Sequence, residues 1–173
     1  MTTERDETNG GAWVVMGVSG CGKSSIGARL AQALGLPFIE GDAFHSSANV
    51  AKMAAGTPLT DDDRRDWLAT LRDELARHLR QGGAVLACSS LKRAYRDVLR
   101  EADAGLRFVH LSGPRDVLLE RMGKRPGHYM PASLLDSQLQ TLEALQADER
   151  GIVLDIREAP QRMVERVLEW AGK

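Results

Sequence analysis

The chain has 173 residues, 43% of them hydrophobic, and a formal net charge of −1. That length suits one domain with a single core, and the near-neutral charge excludes binding nucleic acid or an acidic membrane through a global surplus of positive charge. Any anion site must therefore be a local cluster, and two cysteines, Cys21 and Cys88, are too few for a disulfide framework.

Residues 1–11 are polar and charged, lack the apolar run of a secretory signal, and read as a disordered arm. No segment is apolar for long enough to span a bilayer. Residues 12–173 are expected to form one domain, in the cytoplasm, with no membrane or nucleic-acid partner. A cysteine inside a phosphate loop favours the same reducing setting.

An apolar, β-rich stretch at 12–18 is the first predicted strand. It runs into Gly17-Val18-Ser19-Gly20-Cys21-Gly22-Lys23-Ser24, which fits G-x-x-x-x-G-K-[ST] at every defined position. Ser25 and the residues to Leu34 read as a helix. Strand, glycine-rich turn and helix together form a phosphate cradle of backbone N–H groups at a positive helix terminus. Lys23 has the reach for β- and γ-phosphates, and the Ser24 hydroxyl is a ligand for Mg²⁺. The loop therefore predicts a nucleoside triphosphate and leaves the acceptor unnamed.

The second predicted strand, at 37–40, leads into Gly41-Asp42. Ligands of open α/β sheets collect beyond the carboxyl ends of strands. Asp42 would lie near the transferred phosphate if this strand neighboured the first. Its carboxylate has three open readings: proton acceptor from a substrate hydroxyl, Mg²⁺ ligand through water, or cap of local backbone N–H groups. His45 is either a second polar contact or a structural histidine. A long helix is predicted over 61–80, with Thr60 as N-cap, Asp61, Asp62 and Asp63 in its first turn, and a stripe of Leu68, Leu71, Leu75 and Leu79.

The third predicted strand, at 84–88, ends in Cys88-Ser89-Ser90, without the acidic residue that many phosphate-loop proteins carry there. The metal is then expected to rely on Ser24, phosphate oxygens and water, with Asp42 as a further candidate. Lys92 and Arg96 follow at i and i+4, either a solvated basic face or a clamp for an acidic acceptor. The fourth strand is predicted at 106–111 and the fifth at 151–156, with helices at 114–122 and 131–145 between them. Pro114, Pro131 and Pro160 each stand where a helix should begin. Arg121, Lys124, Arg125 and His128, punctuated by Gly123 and Gly127, read as an exposed basic turn or as a lid that neutralises transferring charge. Strands alternating with helices imply a parallel sheet covered on both faces.

Several segments carry a resemblance: Gly41-Asp42-Ala43-Phe44-His45, Asn49, Lys52-Met53, the run from Gly56 to Arg64, Trp67-Leu68, Cys88-Ser89-Ser90-Leu91-Lys92, Tyr95-Arg96-Asp97, Gly127-His128-Tyr129-Met130, and Ser137-Gln138 with Leu142-Glu143. Together they resemble the gluconokinase family, which is similar in fold to shikimate and nucleoside monophosphate kinases. The resemblance implies a three-layer P-loop kinase fold: a five-stranded parallel sheet in the order 2-3-1-4-5, with a mobile lid at about 121–131. It implies ATP and Mg²⁺ at residues 17–25, with Gly17, Ser19, Gly20, Cys21, Gly22, Lys23, Ser24 and Ser25 as contacts and Arg121 and Arg125 reaching in from the lid. It places gluconate against Asp42, His45, Arg64, Lys92, Arg96 and His128, gives Lys23, Asp42 and Arg125 catalytic roles, and implies a homodimer. The chain departs from the family pattern at Ser46 and Asp66, where proline is usual. The expected reaction is phosphorylation of D-gluconate at its 6-hydroxyl. A kinase for another small acceptor and a non-catalytic nucleotide-binding regulator are the alternatives, and no N-K-x-D motif points to a GTPase.

Overall fold

Five short apolar segments pair into one all-parallel sheet. The computed structural model describes residues 10–124 and 132–173. In chain order the elements are β1 (Gly11–Met16), α1 (Lys23–Leu34), β2 (Phe38–Glu40), a 3₁₀ turn (Gly41–Phe44), α2 (Ser47–Ala54), α3 (Asp61–Leu79), β3 (Gly83–Ala87), α4 (Arg93–Arg100), β4 (Arg107–Ser112), α5 (Arg115–Gly123), α6 (Ala132–Thr141), β5 (Gly151–Asp155) and α7 (Pro160–Trp170). The strand order is β2-β3-β1-β4-β5, as expected. β1 sits centrally, with Val14 opposite Leu86 on one side and Phe108 on the other.

Alternate residues of each strand feed opposite cores, because strand side chains point to opposite faces in turn. Trp13, Val15, Val85 and Val109 pack with Ile26 and Leu30 of α1 and Met163 and Val167 of α7. Val14, Met16, Leu86 and Phe108 pack with Leu68, Leu71 and Leu75 of α3 and Leu99 of α4. The sheet is thus buried on both faces, which accounts for its near-continuous apolar runs.

The long helix starts and ends close to its predicted limits. Thr60 caps it by accepting from the Asp63 N–H at 3.1 Å, and the Asp63 carboxylate returns the bond to the Thr60 N–H at 2.9 Å. Pro160 opens α7, and Pro114 is the N-cap of α5. Two features differ from expectation. α2 was not among the predicted elements; its SANVAKMA sequence has a weak apolar stripe and leaves Val50 exposed. Ser46 caps that helix by accepting from the Asn49 N–H at 3.1 Å. α6 stops at Thr141 rather than near 145, because Glu143 turns away: its N–H donates to Leu91 O at 2.7 Å and its carboxylate accepts from the Arg93 N–H at 2.8 Å.

His110 on β4 is buried, and burial, reinforced by the charge of Arg96, pushes its pKa down to about 4. The unfolded chain binds this proton near its ordinary pKa, so the stability present above about 6.5 is lost as pH falls toward 4. His110→Leu should remove roughly 2 kcal/mol of the stability lost between pH 7 and 5. Urea unfolding of both proteins at the two pH values checks this, and equal pH dependence would show that His110 keeps its ordinary pKa in the folded state.

Candidate active site

The loop at 17–24 leaves β1 and closes onto α1. Gly22 is the N-cap of α1 with φ 91°, a left-handed conformation that a side chain would strain. The first turn of α1 holds no acidic residue, so its N–H groups and dipole remain directed at an incoming anion. The loop is tied to β3: the Gly17 N–H donates to Ser89 O at 3.2 Å. Lys23 Nζ donates to Val18 O at 3.2 Å, and Cys21 is buried beneath the loop. Ser25 is exposed one residue beyond Ser24.

The condition under which Asp42 was expected near the phosphates is not met, since β3 lies between β2 and β1. The 3₁₀ turn brings it there instead. At Gly41 the chain passes so close over the end of β3 that a Cβ would stand 2.3 Å from Ala87 O. Trp67 Nε1 donates to Gly41 O at 2.8 Å and fixes the crossing from the α3 side. Asp42 consequently lines the same cavity as Ser19 and Lys23, and its side chain is 69% exposed there. Ser89, Met53, Leu91, Leu134, Ser137, Gln138 and Thr141 complete much of the wall.

His45 stacks on Trp67, with ring centroids 4.0 Å apart. Burial, with help from Arg64 and against the pull of Asp42, lowers its pKa, which favours the neutral ring. Asn49 Nδ2 lies 3.4 Å from His45 Nδ1 and also donates to Asp63 O at 2.8 Å. With an amide donor facing Nδ1, the ring proton belongs on Nε2, 4.0 Å from the Asp42 carboxylate. Arg64 lines the cavity beside them. Its Nη1 donates to Leu59 O at 2.7 Å and to the Tyr95 hydroxyl at 3.0 Å, and its guanidinium lies 5.2 Å from the Tyr95 ring centroid. Those contacts fix the fork of the guanidinium in advance of any carboxylate it grips.

The reading that put Lys92 and Arg96 on one face of a helix is corrected. Lys92 is the N-cap of α4, pairs with Asp61 at 3.1 Å and is not among the residues lining the cavity. Arg96 is 0% exposed, and its donors are directed at Glu149, Ser90 O, Leu91 O, Glu143 O and Ala144 O. A guanidinium so engaged is structural and does not reach a sugar acid. Arg121 donates to Ile156 O at the end of α5, away from the acceptor side. Arg125 and His128 lie outside the described residues, as does most of the expected lid.

One residue was missed. Glu40, at the end of β2, accepts a hydrogen bond from the Ser24 hydroxyl. The sequence reading sought an acidic partner for the metal after the third strand; the structure supplies a carboxylate from the second. The signal was present, because Glu40 stands two residues before Asp42 at the same strand end. The Ser24 hydroxyl and a carboxylate are hard oxygen donors of the type that suits Mg²⁺.

The Shikimate kinase family model matches residues 19–170. A gluconokinase of Gluconobacter oxydans is 49% identical over 156 residues, covering 90% of this chain and 88% of that protein. The chain belongs to the gluconokinase family. The solved structure of a gluconokinase from Sinorhizobium meliloti 1021 is 48% identical, with a TM-score of 0.86 and coverage of 95% of this chain and 93% of that one. An unliganded sugar kinase from Janibacter sp. HTCC2649 is 51% identical, with a TM-score of 0.89 and coverage of 94% and 95%. Within the gluconokinase frame, the acidic run at the start of α3 serves structure. Asp63 pairs with Lys52 at 2.8 Å, Asp61 takes the Tyr95 hydroxyl and Lys92, and Asp62 pairs with Arg65.

Arg96→Met should cost stability, since it removes the buried guanidinium that pairs with Glu149 and leaves that carboxylate only Arg100 and the Gln146 N–H. The expected loss is roughly 3–5 kcal/mol in denaturant unfolding. The folded fraction should keep its KM for the acceptor; a stable variant with a sharply raised acceptor KM would return Arg96 to the substrate.

Proposed function

We propose that this protein transfers the terminal phosphoryl group of ATP to the 6-hydroxyl of D-gluconate, releasing ADP and 6-phosphogluconate. The observation that carries this reading is one cavity with two chemically distinct walls, in a chain of the gluconokinase family. Ser19 and Lys23 supply the phosphate side, and Asp42 and Arg64 the acceptor side. No helix among the described residues is long and apolar enough to cross a membrane. A homodimer, as the family resemblance implies, and a cytoplasmic setting, as the cysteine placement suggests, are part of the same proposal.

The division of labour follows from charge. Backbone N–H groups of the loop, the α1 terminus and Lys23 bind the polyphosphate. Arg64 takes the gluconate carboxylate, which leaves the far end of the six-carbon chain to reach toward the loop. Asp42 accepts the hydrogen bond of the 6-hydroxyl, orients its oxygen for in-line attack on the γ-phosphorus and receives its proton as the O–P bond to ADP breaks. His45, stacked on Trp67, stands behind Asp42 with its Nε2 4.0 Å from the carboxylate. Ser24 and Glu40 would hold Mg²⁺, which supplies charge neutralisation for the phosphate oxygens when bound. Arg121 and Arg125 belong to the same reading as contributors from the lid side.

Coupled ADP-release assays with gluconate, shikimate, a nucleoside monophosphate and a second sugar acid test the assignment. Gluconate-dependent release is expected; turnover on another acceptor without it would overturn the substrate. Asp42→Asn should lower kcat by about 100- to 1,000-fold while ATP affinity stays within about threefold. Glu40→Gln should raise the half-saturating Mg²⁺ concentration roughly tenfold, and an unchanged Mg²⁺ titration would remove Glu40 from the metal site.

A further inference from the structure

Gln138 lies on α6 at the wall of the cavity, 119 residues along the chain from the phosphate loop. Its Oε1 accepts a hydrogen bond from the Ser19 backbone N–H at 2.7 Å. Ser19 is the third residue of the loop and shares the cavity with Lys23 and Asp42, the two groups between which a phosphoryl group must pass.

The chemistry of this bond fixes the direction of the amide. A backbone N–H can only donate, so the end of Gln138 held by Ser19 must be its oxygen. The other end is then the NH₂ group, which carries two donors and no charge. The same carbon bears both ends, so anchoring the oxygen on the loop sets the donors beside the loop as well. We propose that Gln138 is a catalytic residue whose Nε2 donates to an oxygen of the transferring phosphoryl group. This deepens the proposed phosphotransfer and rests on it. Donors placed in this way stabilise charge that spreads over the equatorial oxygens in the transition state. A neutral donor also serves on the acceptor side, where another cation would draw the gluconate carboxylate away from Arg64.

Two isosteric substitutions separate this role from a merely structural one. Gln138→Glu keeps an oxygen for the Ser19 N–H but replaces the donor end with negative charge. Gln138→Met keeps the bulk and loses both ends. The catalytic role predicts that Glu is the worse variant, with kcat down roughly 100-fold or more, against roughly tenfold for Met. KM for ATP and gluconate should stay within about threefold in both, and the thermal midpoint of the Glu variant should match the wild type. A structural pin between α6 and the loop predicts the reverse order, with Met worse than Glu. That reverse order, or a Glu variant within about threefold of wild-type kcat, overturns the assignment while leaving the proposed function standing. A wild-type protein with no gluconate-dependent ADP release overturns both.

Discussion

One buried guanidinium holds the walls of the cavity together. Arg96 donates to Ser90 O and Leu91 O in the segment after β3, and to Glu143 O and Ala144 O in the segment after α6. The first segment carries Ser89 and Leu91 into the cavity, and the second continues from the helix that carries Ser137, Gln138 and Thr141. Neither side of Arg96 is exposed, so its charge needs a buried partner, and Glu149 provides one at 2.7 Å. Burial alone would raise the Glu149 pKa, but Arg96, the Gln146 N–H and Arg100 hold it down at about 2. The pair therefore stays ionised at neutral pH, and two stretches far apart in sequence keep one spacing. The ends of β3 and α6 form a single wall because this charge must be satisfied.

The same logic of local neutralisation lets a nearly neutral chain receive two anionic ligands. The first turn of α1 carries no acidic side chain of its own, and the one carboxylate among the described residues that bonds to it, Glu40, does so through the Ser24 hydroxyl. Aspartates do crowd the acceptor side, at the start of α3, yet each is committed. Asp63 is held down to about 2 first by Lys52 and then by the Thr60 N–H, and Asp61 is lowered by Tyr95 and Lys92. Arg64 thus faces the cavity without a carboxylate bonded to it among the described residues, while Tyr95 and Leu59 O set its orientation.

Much of this was legible in one dimension. The strand-loop-helix order around residues 17–24, the cap at Thr60 and the leucine stripe of α3 are local patterns, and local backbone geometry is enough to make them. The five strands were legible because a sheet covered on both faces needs apolar runs. Arg96 was misread because i, i+4 spacing reports a shared helix face and says nothing about whether that face meets solvent or core. Lys92 fell outside that spacing altogether once the helix began at Arg93. Glu40 was overlooked because its partner, Ser24, stands 16 residues away in the chain on another element. The early end of α6 depends on Glu143 bonding to Leu91 and Arg93, contacts that no window of sequence contains.

The sequence by itself determined that this is a parallel α/β protein with a phosphate loop at 17–24 and an acceptor motif around Asp42. Those properties come from short-range periodicity, glycine placement and capping. Only the tertiary structure decided which charged residues meet the ligands. Gly41 passes over Ala87, Trp67 pins that crossing, and Arg96 sinks into the core while Arg64 turns to the cavity. Each of these is set by the cost of leaving a buried polar group unpaired, and that cost depends on neighbours brought together only by folding.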